Sequence, residues 1–275
     1  MIVRHRALGP FSILTGLTLA ALTGCGGEGG EAPPPTMSAA PASAPLVEHL
    51  AAGHAVFGIF SGEHTPEQGQ VMGQNAALDF VFYSLEQGPF DIPTMEAFMD
   101  GMAEGAGEGP EHPLALRIPP IGDDAEAASA RVSEALAAGV SAIVFPHVQS
   151  AEHARVAVSS VGSDLWPGNS SGTLVNMLIV EDIPGMEQVD EIVSTPGVSV
   201  VFAGPGDLRR AYEGDMEAVE NAIQTVLAAC KANDVPCGIT AGVDDIADRL
   251  EQGFRVIIVT EDDAVAVGRA AAGRE

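Results

Sequence analysis

Basic residues are scarce in this sequence, and lysine is almost absent. The chain has 12 lysines and arginines against 38 aspartates and glutamates, which gives a formal net charge of −26. Such an acidic surface repels phosphate backbones, so we expect no nucleic-acid binding. Lys231 is the only lysine, and it falls near the end of a predicted helix. Enzymes that form a Schiff base need a lysine at the site of chemistry, so this class is not expected either.

Cysteine is scarce as well, with three residues in the chain. Cys230 and Cys237 are the two that follow the amino-terminal region, and no CxxC spacing typical of zinc sites is present. Cys230 falls in a predicted helix and Cys237 at the start of a predicted strand. The two residues either form a disulfide or remain unpaired as small core residues, and the sequence leaves both interpretations open.

The apolar run at residues 11–22 is too short for a bilayer-spanning helix, which needs about 20 apolar residues. Arg4 and Arg6 precede this run, and Leu22-Thr23-Gly24-Cys25 follows it. The order of basic start, apolar core and small residues predicts a lipoprotein signal peptide at residues 1–24. Cys25 would then be lipidated and anchor an exported protein to a membrane, facing the periplasm or the cell surface. An ordinary signal peptide or an uncleaved anchor is the alternative.

Residues 25–45 are mainly glycine, proline, alanine and serine without apolar periodicity, which predicts a flexible tether. From there to the end of the chain, short β-branched and aromatic runs alternate with longer segments rich in alanine, glutamate and methionine. Residues 46–275 are therefore predicted to form one α/β domain, a (β/α)8 TIM barrel. The predicted strands are 55–60, 79–84, 114–118, 141–146, 175–181, 198–203, 236–240 and 255–260. The predicted helices are 66–76, 94–104, 124–138, 151–161, 185–195, 216–233, 244–252 and 262–272.

Two carboxylates come at the ends of neighbouring predicted strands, where such barrels carry out their chemistry. Glu181 ends the fifth strand and Asp207 follows the sixth. Two carboxylates in close proximity repel each other unless a cation or a shared proton lies between them. Oxygen ligands of this kind suit Mg²⁺ or Mn²⁺, so Glu181 and Asp207 are candidate metal ligands. Alternatively, Glu181 caps the following helix and Asp207 caps a turn.

Three further side chains at predicted strand ends are candidate catalytic residues. Arg117 ends the third strand, where a guanidinium can hold a carboxylate or stabilise charge on a carbonyl oxygen. The alternative role for Arg117 is a structural ion pair. His64 follows the first strand and His147 ends the fourth, and imidazole titrates near neutral pH. A surface or helix-capping role is the alternative for each histidine.

Several segments resemble the HpcH/HpaI aldolase and citrate lyase family. They include Leu116-Arg117-Ile118-Pro119 and the run from Val201 to Leu208, which contains Gly204-Pro205-Gly206-Asp207. The resemblance covers roughly residues 50 to 262 and implies a (β/α)8 barrel that binds a divalent metal and forms or cleaves carbon–carbon bonds beside a 2-oxoacid. It implies that Glu181 and Asp207 bind the metal and that Arg117 stabilises an enolate oxygen.

The same resemblance implies that the amides around Gly206 and Asp207 hold the substrate carboxylate. Gln87 stands where the family's pyruvate aldolases have a histidine, and we count it among the candidate substrate-binding residues. Those aldolases have Asp-Gly-Glu-His after the second strand, whereas this chain has Ser84-Leu85-Glu86-Gln87. The aspartate and histidine that transfer the proton are therefore both replaced.

The sequence thus supports two hypotheses. The first is a metal-dependent carbon–carbon lyase that acts on a small 2-oxoacid or hydroxyacid through an enolate. The second is a barrel that has lost catalysis and binds a carboxylate ligand or a partner protein at the cell surface. The resemblance also suggests a homo-oligomer.

Overall fold

Eight parallel strands close into a barrel in which each strand pairs with the next and the eighth pairs with the first. The computed structural model describes residues 44–122 and 124–274. The strands are β1 (Val56–Phe60), β2 (Phe80–Ser84), β3 (Leu114–Arg117), β4 (Ala142–Phe145), β5 (Val175–Val180), β6 (Val200–Ala203), β7 (Cys237–Ala241) and β8 (Val256–Val259). This architecture confirms the predicted (β/α)8 TIM barrel.

Helices occupy the connections between the strands. They are α1 (Ala44–Ala51), α2 (Pro66–Gln74), α3 (Ile92–Ala106), α4 (Ala125–Ala137), α5 (Ala151–Val161), α6 (Ile183–Glu187), α7 (Val189–Val193), α8 (Pro205–Ala211), α9 (Met216–Ala232), α10 (Ile246–Gln252) and α11 (Asp262–Ala271). The prediction of a single helix over residues 185–195 was wrong, because α6 and α7 are separate and Gln188 stands between them with a non-helical φ of −122°. Helices α1 and α8 were not predicted.

Side chains that point into the barrel come from alternate positions along each strand, as the pleat of a strand requires. Phe80 of β2 and Phe202 of β6 are two large interior residues, and each lies beside a glycine of a neighbouring strand. A β-carbon at Gly58 would lie 2.2 Å from the Phe80 ring, and one at Gly238 would lie 2.2 Å from the Phe202 ring. The glycines therefore provide the space that these two rings fill.

Helix α1 directly precedes β1 and closes the amino-terminal end of the barrel. Its apolar residues Leu46, Val47 and Leu50 belong to the same buried cluster as the interior side chains of the strands. The opposite end, where the strands terminate, is left for the loops that carry chemistry in barrels of this type.

The predicted signal peptide at residues 1–24, the lipidation site Cys25 and most of the predicted tether lie outside the described residues. Among the residues that the structure describes, none of the helices has the length and apolar composition needed to cross a bilayer. Cys230 and Cys237 are free thiols and both are buried, which agrees with their interpretation as small core residues.

Candidate functional site

The carboxyl ends of the strands surround a cavity of about 340 Å³, which we call the mouth cavity. Its polar side chains are those of Arg117, Glu181, Asp207, Thr240 and Thr260. Its apolar side chains are those of Phe60, Phe82, Ile179, Phe202, Ile258 and Pro205. The structure therefore gathers Arg117, Glu181 and Asp207, three of the residues predicted to carry the chemistry, around one space.

Glu181 directly follows β5, and its side chain is buried, with 3 % of its surface exposed. Its Oε1 accepts a 3.0 Å hydrogen bond from the backbone N–H of His147. The residue that caps α6 is the neighbouring Asp182, whose Oδ1 accepts a 2.9 Å hydrogen bond from the backbone N–H of Gly185. Because Asp182 supplies the helix cap, the capping role considered for Glu181 is filled by its neighbour.

Burial raises the pKa of Glu181 to about 7, because desolvation penalises the charged form of the carboxyl group. The hydrogen bond from the backbone of His147 acts in the opposite direction, while the negative charges of Asp207 and Glu86 raise the pKa further. A cation in the site would compensate these negative charges and stabilise the ionised form of the Glu181 carboxyl group. The electrostatics of Glu181 therefore suit a residue that binds a metal ion.

His147 lies among three acidic side chains at the end of β4. Its backbone has a φ of 48°, in the left-handed region that non-glycine residues seldom adopt. Its Nδ1 lies 3.4 Å from Asp182 Oδ2 and 3.7 Å from Glu181 Oε1, and its Nε2 lies 3.6 Å from Glu86 Oε1. Glu86, His147 and Glu181 each offer one ligand atom, and these atoms lie within 4.8 Å of one another. Carboxylate oxygens and an imidazole nitrogen together form a donor set for a divalent metal.

Arg117 connects this acidic group to the barrel wall. Its Nη2 lies 3.0 Å from Glu86 Oε2, and its Nε donates a 3.0 Å hydrogen bond to Ser84 Oγ. Its guanidinium also lies over the Phe82 ring, 5.3 Å from the centroid. The structural ion pair considered as an alternative for Arg117 thus exists, and its partner is Glu86. Sequence reasoning assigned Glu86 no role, although it matches the glutamate of the Asp-Gly-Glu-His pattern.

Asp207 lines the mouth cavity from the first turn of α8, and its carboxylate forms an ion pair with Arg210 one turn later. It does not belong to the group formed by Glu86, His147 and Glu181. Gly206 precedes it and also lines the cavity, and a β-carbon there would meet no atom within 4 Å. The backbone at Gly206 is therefore open to a small ligand.

Three of the candidate residues, His64, His147 and Gln87, are not among the residues that line the mouth cavity. The His64 ring stacks on the Tyr83 ring with 3.8 Å between the centroids, and Tyr83 in turn contacts Phe98 of α3. Burial lowers the pKa of His64, which keeps its imidazole neutral over a wider pH range. Gln87 is exposed. The structure brings His147 to the acidic group at Glu181 but leaves His64 and Gln87 apart from it.

A model of the HpcH/HpaI aldolase/citrate lyase family matches residues 95–267, which is more than half of the chain. The chain belongs to this family. This HpcH/HpaI family member is 27 % identical over 241 residues to a 5-keto-4-deoxy-D-glucarate aldolase of Citrobacter koseri, covering 78 % of this chain and 88 % of that one. It is 28 % identical over 167 residues to a 2-dehydro-3,6-dideoxy-6-sulfogluconate aldolase of Pseudomonas putida. That match covers 50 % of this chain and 64 % of the relative, so it spans less than two thirds of the relative's length.

Solved structures of similar proteins share the fold. An HpcH/HpaI aldolase/citrate lyase family protein from Burkholderia cenocepacia superposes with a TM-score of 0.67 at 21 % identity, covering 83 % of this chain and 96 % of that one. The citrate lyase beta subunit from M. tuberculosis, complexed with oxaloacetate and magnesium, gives a TM-score of 0.58 at 19 % identity. That superposition covers 82 % of this chain and 99 % of the subunit.

Proposed function

We propose that this protein is a metal-dependent carbon–carbon lyase that acts on a small 2-oxoacid through an enolate. The observation that carries the proposal is that Arg117, Glu181 and Asp207 line one cavity at the carboxyl end of the barrel. Membership of an aldolase and citrate lyase family supports the same chemistry.

The residues around Glu181 fit a divalent metal ion. Glu181 would be one ligand, and Asp207 is the second ligand that the sequence predicts. Glu86 and His147 offer further ligand atoms, which lie within 4.8 Å of each other and of Glu181. Mg²⁺ or Mn²⁺ is the expected ion, because most of these donors are carboxylate oxygens. When bound, such an ion supplies a positive charge that stabilises an enolate oxygen.

The protein's own residues would bind and orient the substrate. Arg117 is positively charged and held in place by Ser84 and Glu86, so it can stabilise negative charge that develops on the 2-oxo oxygen. The backbone amides at Gly206 and Asp207 would hold the substrate carboxylate at the open start of α8. His147 is the candidate for moving a proton, because histidine is the most common acid/base residue near neutral pH and its Nδ1 lies 3.7 Å from Glu181. A ring nitrogen that binds a metal cannot also carry that proton, so a proton would be moved by a nitrogen of His147 that is not bound to the metal.

The proposed reaction is a retro-aldol cleavage or its reverse. The 4-hydroxyl group of the substrate loses its proton, the bond between C3 and C4 breaks, and C4 leaves as an aldehyde or ketone. The electron pair of that bond passes to C3 and is delocalised onto the 2-oxo oxygen as an enolate. A proton then adds to C3 and gives the free 2-oxoacid.

Deuterium exchange tests this proposal without knowledge of the second substrate. Proton NMR of pyruvate in D₂O should show metal-dependent loss of the C3 proton signal above the rate with metal alone. Arg117→Ala should slow this exchange by about 10²- to 10³-fold, as expected for removal of a group that stabilises an oxyanion. The matched control is Arg155→Ala, because Arg155 is an exposed arginine on α5 whose ion-pair partner is Glu152. Equal rates for the two variants would refute the proposal.

A second candidate function is binding without catalysis. It is favoured by Ser84 and Gln87, because Ser84 is occupied by its hydrogen bond with Arg117 and Gln87 is exposed away from the cavity. Neither residue replaces the acid/base pair of the family's pyruvate aldolases. Folded protein that binds 2-oxoacids in the presence of metal, but exchanges no proton with any of them, would establish this alternative.

We also propose that the protein is exported and carries a lipid on Cys25. The basic start and the Leu22-Thr23-Gly24-Cys25 sequence support this proposal. Labelling cells with a palmitate analogue should tag the wild-type protein but not a Cys25→Ala variant. A label that persists on the variant would refute lipidation at this residue.

A further inference from the structure

Most of the mouth cavity's side chains are apolar. Four of its apolar residues are the inward-facing Phe60 of β1, Phe82 of β2, Phe202 of β6 and Ile258 of β8. These side chains come from strands on both sides of the barrel, so the apolar character is a property of the cavity and not of one segment. Under the proposed function, the reacting end of a 2-oxoacid would contact Arg117, a metal held by Glu181 and the α8 amides, which leaves the apolar residues to contact the rest of the molecule.

The cavity offers few hydroxyl groups that could form hydrogen bonds with a polar substituent of the substrate. Thr240 and Thr260 supply the only hydroxyl groups among the described lining residues. The hydroxyl of Thr260 donates a 2.8 Å hydrogen bond to Glu261, so toward a ligand it can act only as an acceptor. A chain with several hydroxyl groups would bury some of them without partners, and each unsatisfied group costs about 1–3 kcal/mol.

Phe60 shows how an apolar substituent would be recognised. It is the last residue of β1, and 42 % of its surface is exposed, although it lines the cavity. Its ring contacts Phe82 edge to face with 5.2 Å between the centroids, so its position is fixed by packing. An alkyl or aryl group entering the cavity would cover this exposed ring and gain from removal of apolar surface from water.

We infer that the cavity selects 2-oxoacids whose substituent beyond the reacting carbons is apolar, such as a short alkyl or aryl group, over polyhydroxylated acids. This inference rests on the proposed function for the site that holds the 2-oxoacid end. It makes the mouth cavity different in specificity from a site for a sugar acid, and it assigns Phe60 as a specificity-determining residue.

Binding constants of a homologous series test the inference directly. Calorimetry with the metal-loaded protein would compare pyruvate, 2-oxobutanoate, 2-oxopentanoate and 5-hydroxy-2-oxopentanoate. Each added methylene should tighten binding by about threefold to fourfold, which is the transfer free energy of one buried CH₂ group. The terminal hydroxyl of 5-hydroxy-2-oxopentanoate should cancel at least the gain in affinity that the last methylene provides. A flat series, or tighter binding of the hydroxylated acid, would overturn the inference.

Two variants test whether the gain in affinity per methylene arises in the mouth cavity. Phe60→Ser should reduce the gain in affinity per methylene, because the ring that the apolar substituent would cover is removed. The control is Val71→Ser, since Val71 is also an exposed apolar residue, at 56 %, but lies on α2 and does not line the cavity. An unchanged series in Phe60→Ser would exclude Phe60 as the residue that determines specificity.

The outcomes separate this inference from the proposed lyase. Pyruvate that exchanges its C3 protons while the alkyl series is flat would support the lyase and refute the apolar specificity. An alkyl series with the expected trend, but without exchange for any acid, would support the specificity of the cavity and refute the lyase. Where exchange occurs, condensation of pyruvate with butanal should also exceed condensation with glyceraldehyde.

Discussion

A β-carbon at Gly204 would lie 2.5 Å from Glu181 Oε2. Gly204 directly follows β6, so the backbone of this strand end and the carboxylate at the end of β5 approach each other closely. The absence of a side chain at residue 204 therefore leaves the space that the Glu181 carboxylate occupies. This relationship connects the Gly204-Pro205-Gly206-Asp207 segment with the position of a candidate metal ligand at the end of the neighbouring strand, β5.

Gly204→Ala should displace the Glu181 carboxylate and weaken metal binding by roughly 10- to 100-fold, as is common when the support of a ligand is disturbed. Titration of the metal-free protein with Mn²⁺, followed by electron paramagnetic resonance, measures the affinity. Gly206→Ala is the matched control for this readout, because a β-carbon there would meet no atom within 4 Å. An affinity that falls equally in the two variants would show that the contact with Glu181 is not the cause.

The raised pKa of Glu181 has a consequence for stability in metal-free protein. The unfolded chain keeps a pKa near the ordinary value of 4.5, whereas burial raises the folded value to about 7. Between pH 4.5 and pH 7 the Glu181 carboxyl group is therefore mostly protonated in the folded state and mostly ionised in the unfolded state. The contribution of this carboxyl to stability is thus fully present below pH 4.5 and is lost as the pH rises through 7.

Glu181→Gln removes this titration, so the variant should gain stability relative to wild type when the pH rises from 5 to 8. Urea unfolding in buffer with a chelator, at both pH values, gives the two differences in free energy of unfolding. Glu187→Gln is the control, because it makes the same charge change on an exposed residue of α6. If the difference between Glu181→Gln and wild type is the same at both pH values, the raised pKa is refuted.

Helices α2 and α3 contact each other through their backbones. A β-carbon at Gly69 would lie 2.2 Å from the Phe98 carbonyl oxygen, and one at Gly101 would lie 2.1 Å from the Pro66 carbonyl oxygen. Gly101→Ala should therefore lower the free energy of unfolding by about 1–3 kcal/mol, even though alanine is the better helix former. Gly168→Ala, where the nearest atom would be 3.6 Å away, should change stability by no more than about 0.5 kcal/mol. Thermal and urea unfolding would measure both, and a stable Gly101→Ala variant would contradict the close packing.

The strands could be predicted from the sequence to within two residues at each end, because buried parallel strands have apolar runs that glycine, proline and polar residues interrupt. Helix α8 was missed because it begins at Gly204-Pro205-Gly206, a composition typical of a loop. Helix α1 was missed because its alanine and proline resemble the preceding tether, while its burial depends on contact with the barrel interior.

Part of the candidate site could also be predicted, because residues at the carboxyl ends of all eight strands lie at one end of the barrel. Arg117 and Glu181 line the cavity because their strands place them at inward positions. His64 lies in a loop, where no pleat fixes the direction of a side chain, and its ring contacts Tyr83 instead. Glu86 is also in a loop, so its proximity to both Arg117 and His147 required the structure.

His147 provides the last test, because it can act either as a metal ligand or as a proton carrier. An imidazole ligand favours Mn²⁺, Co²⁺ or Zn²⁺ over Mg²⁺, since nitrogen binds the former ions more strongly. If His147 is a ligand, His147→Gln should lose roughly 10- to 100-fold of Co²⁺ affinity and little Mg²⁺ affinity. The visible spectrum of bound Co²⁺ should change in the same variant. His64→Gln is the control for both measurements, because its ring stacks on Tyr83 and it is not part of the group formed by Glu86, His147 and Glu181. Unchanged Co²⁺ affinity and spectrum in His147→Gln, with slowed proton exchange, would instead assign His147 the proton-carrying role.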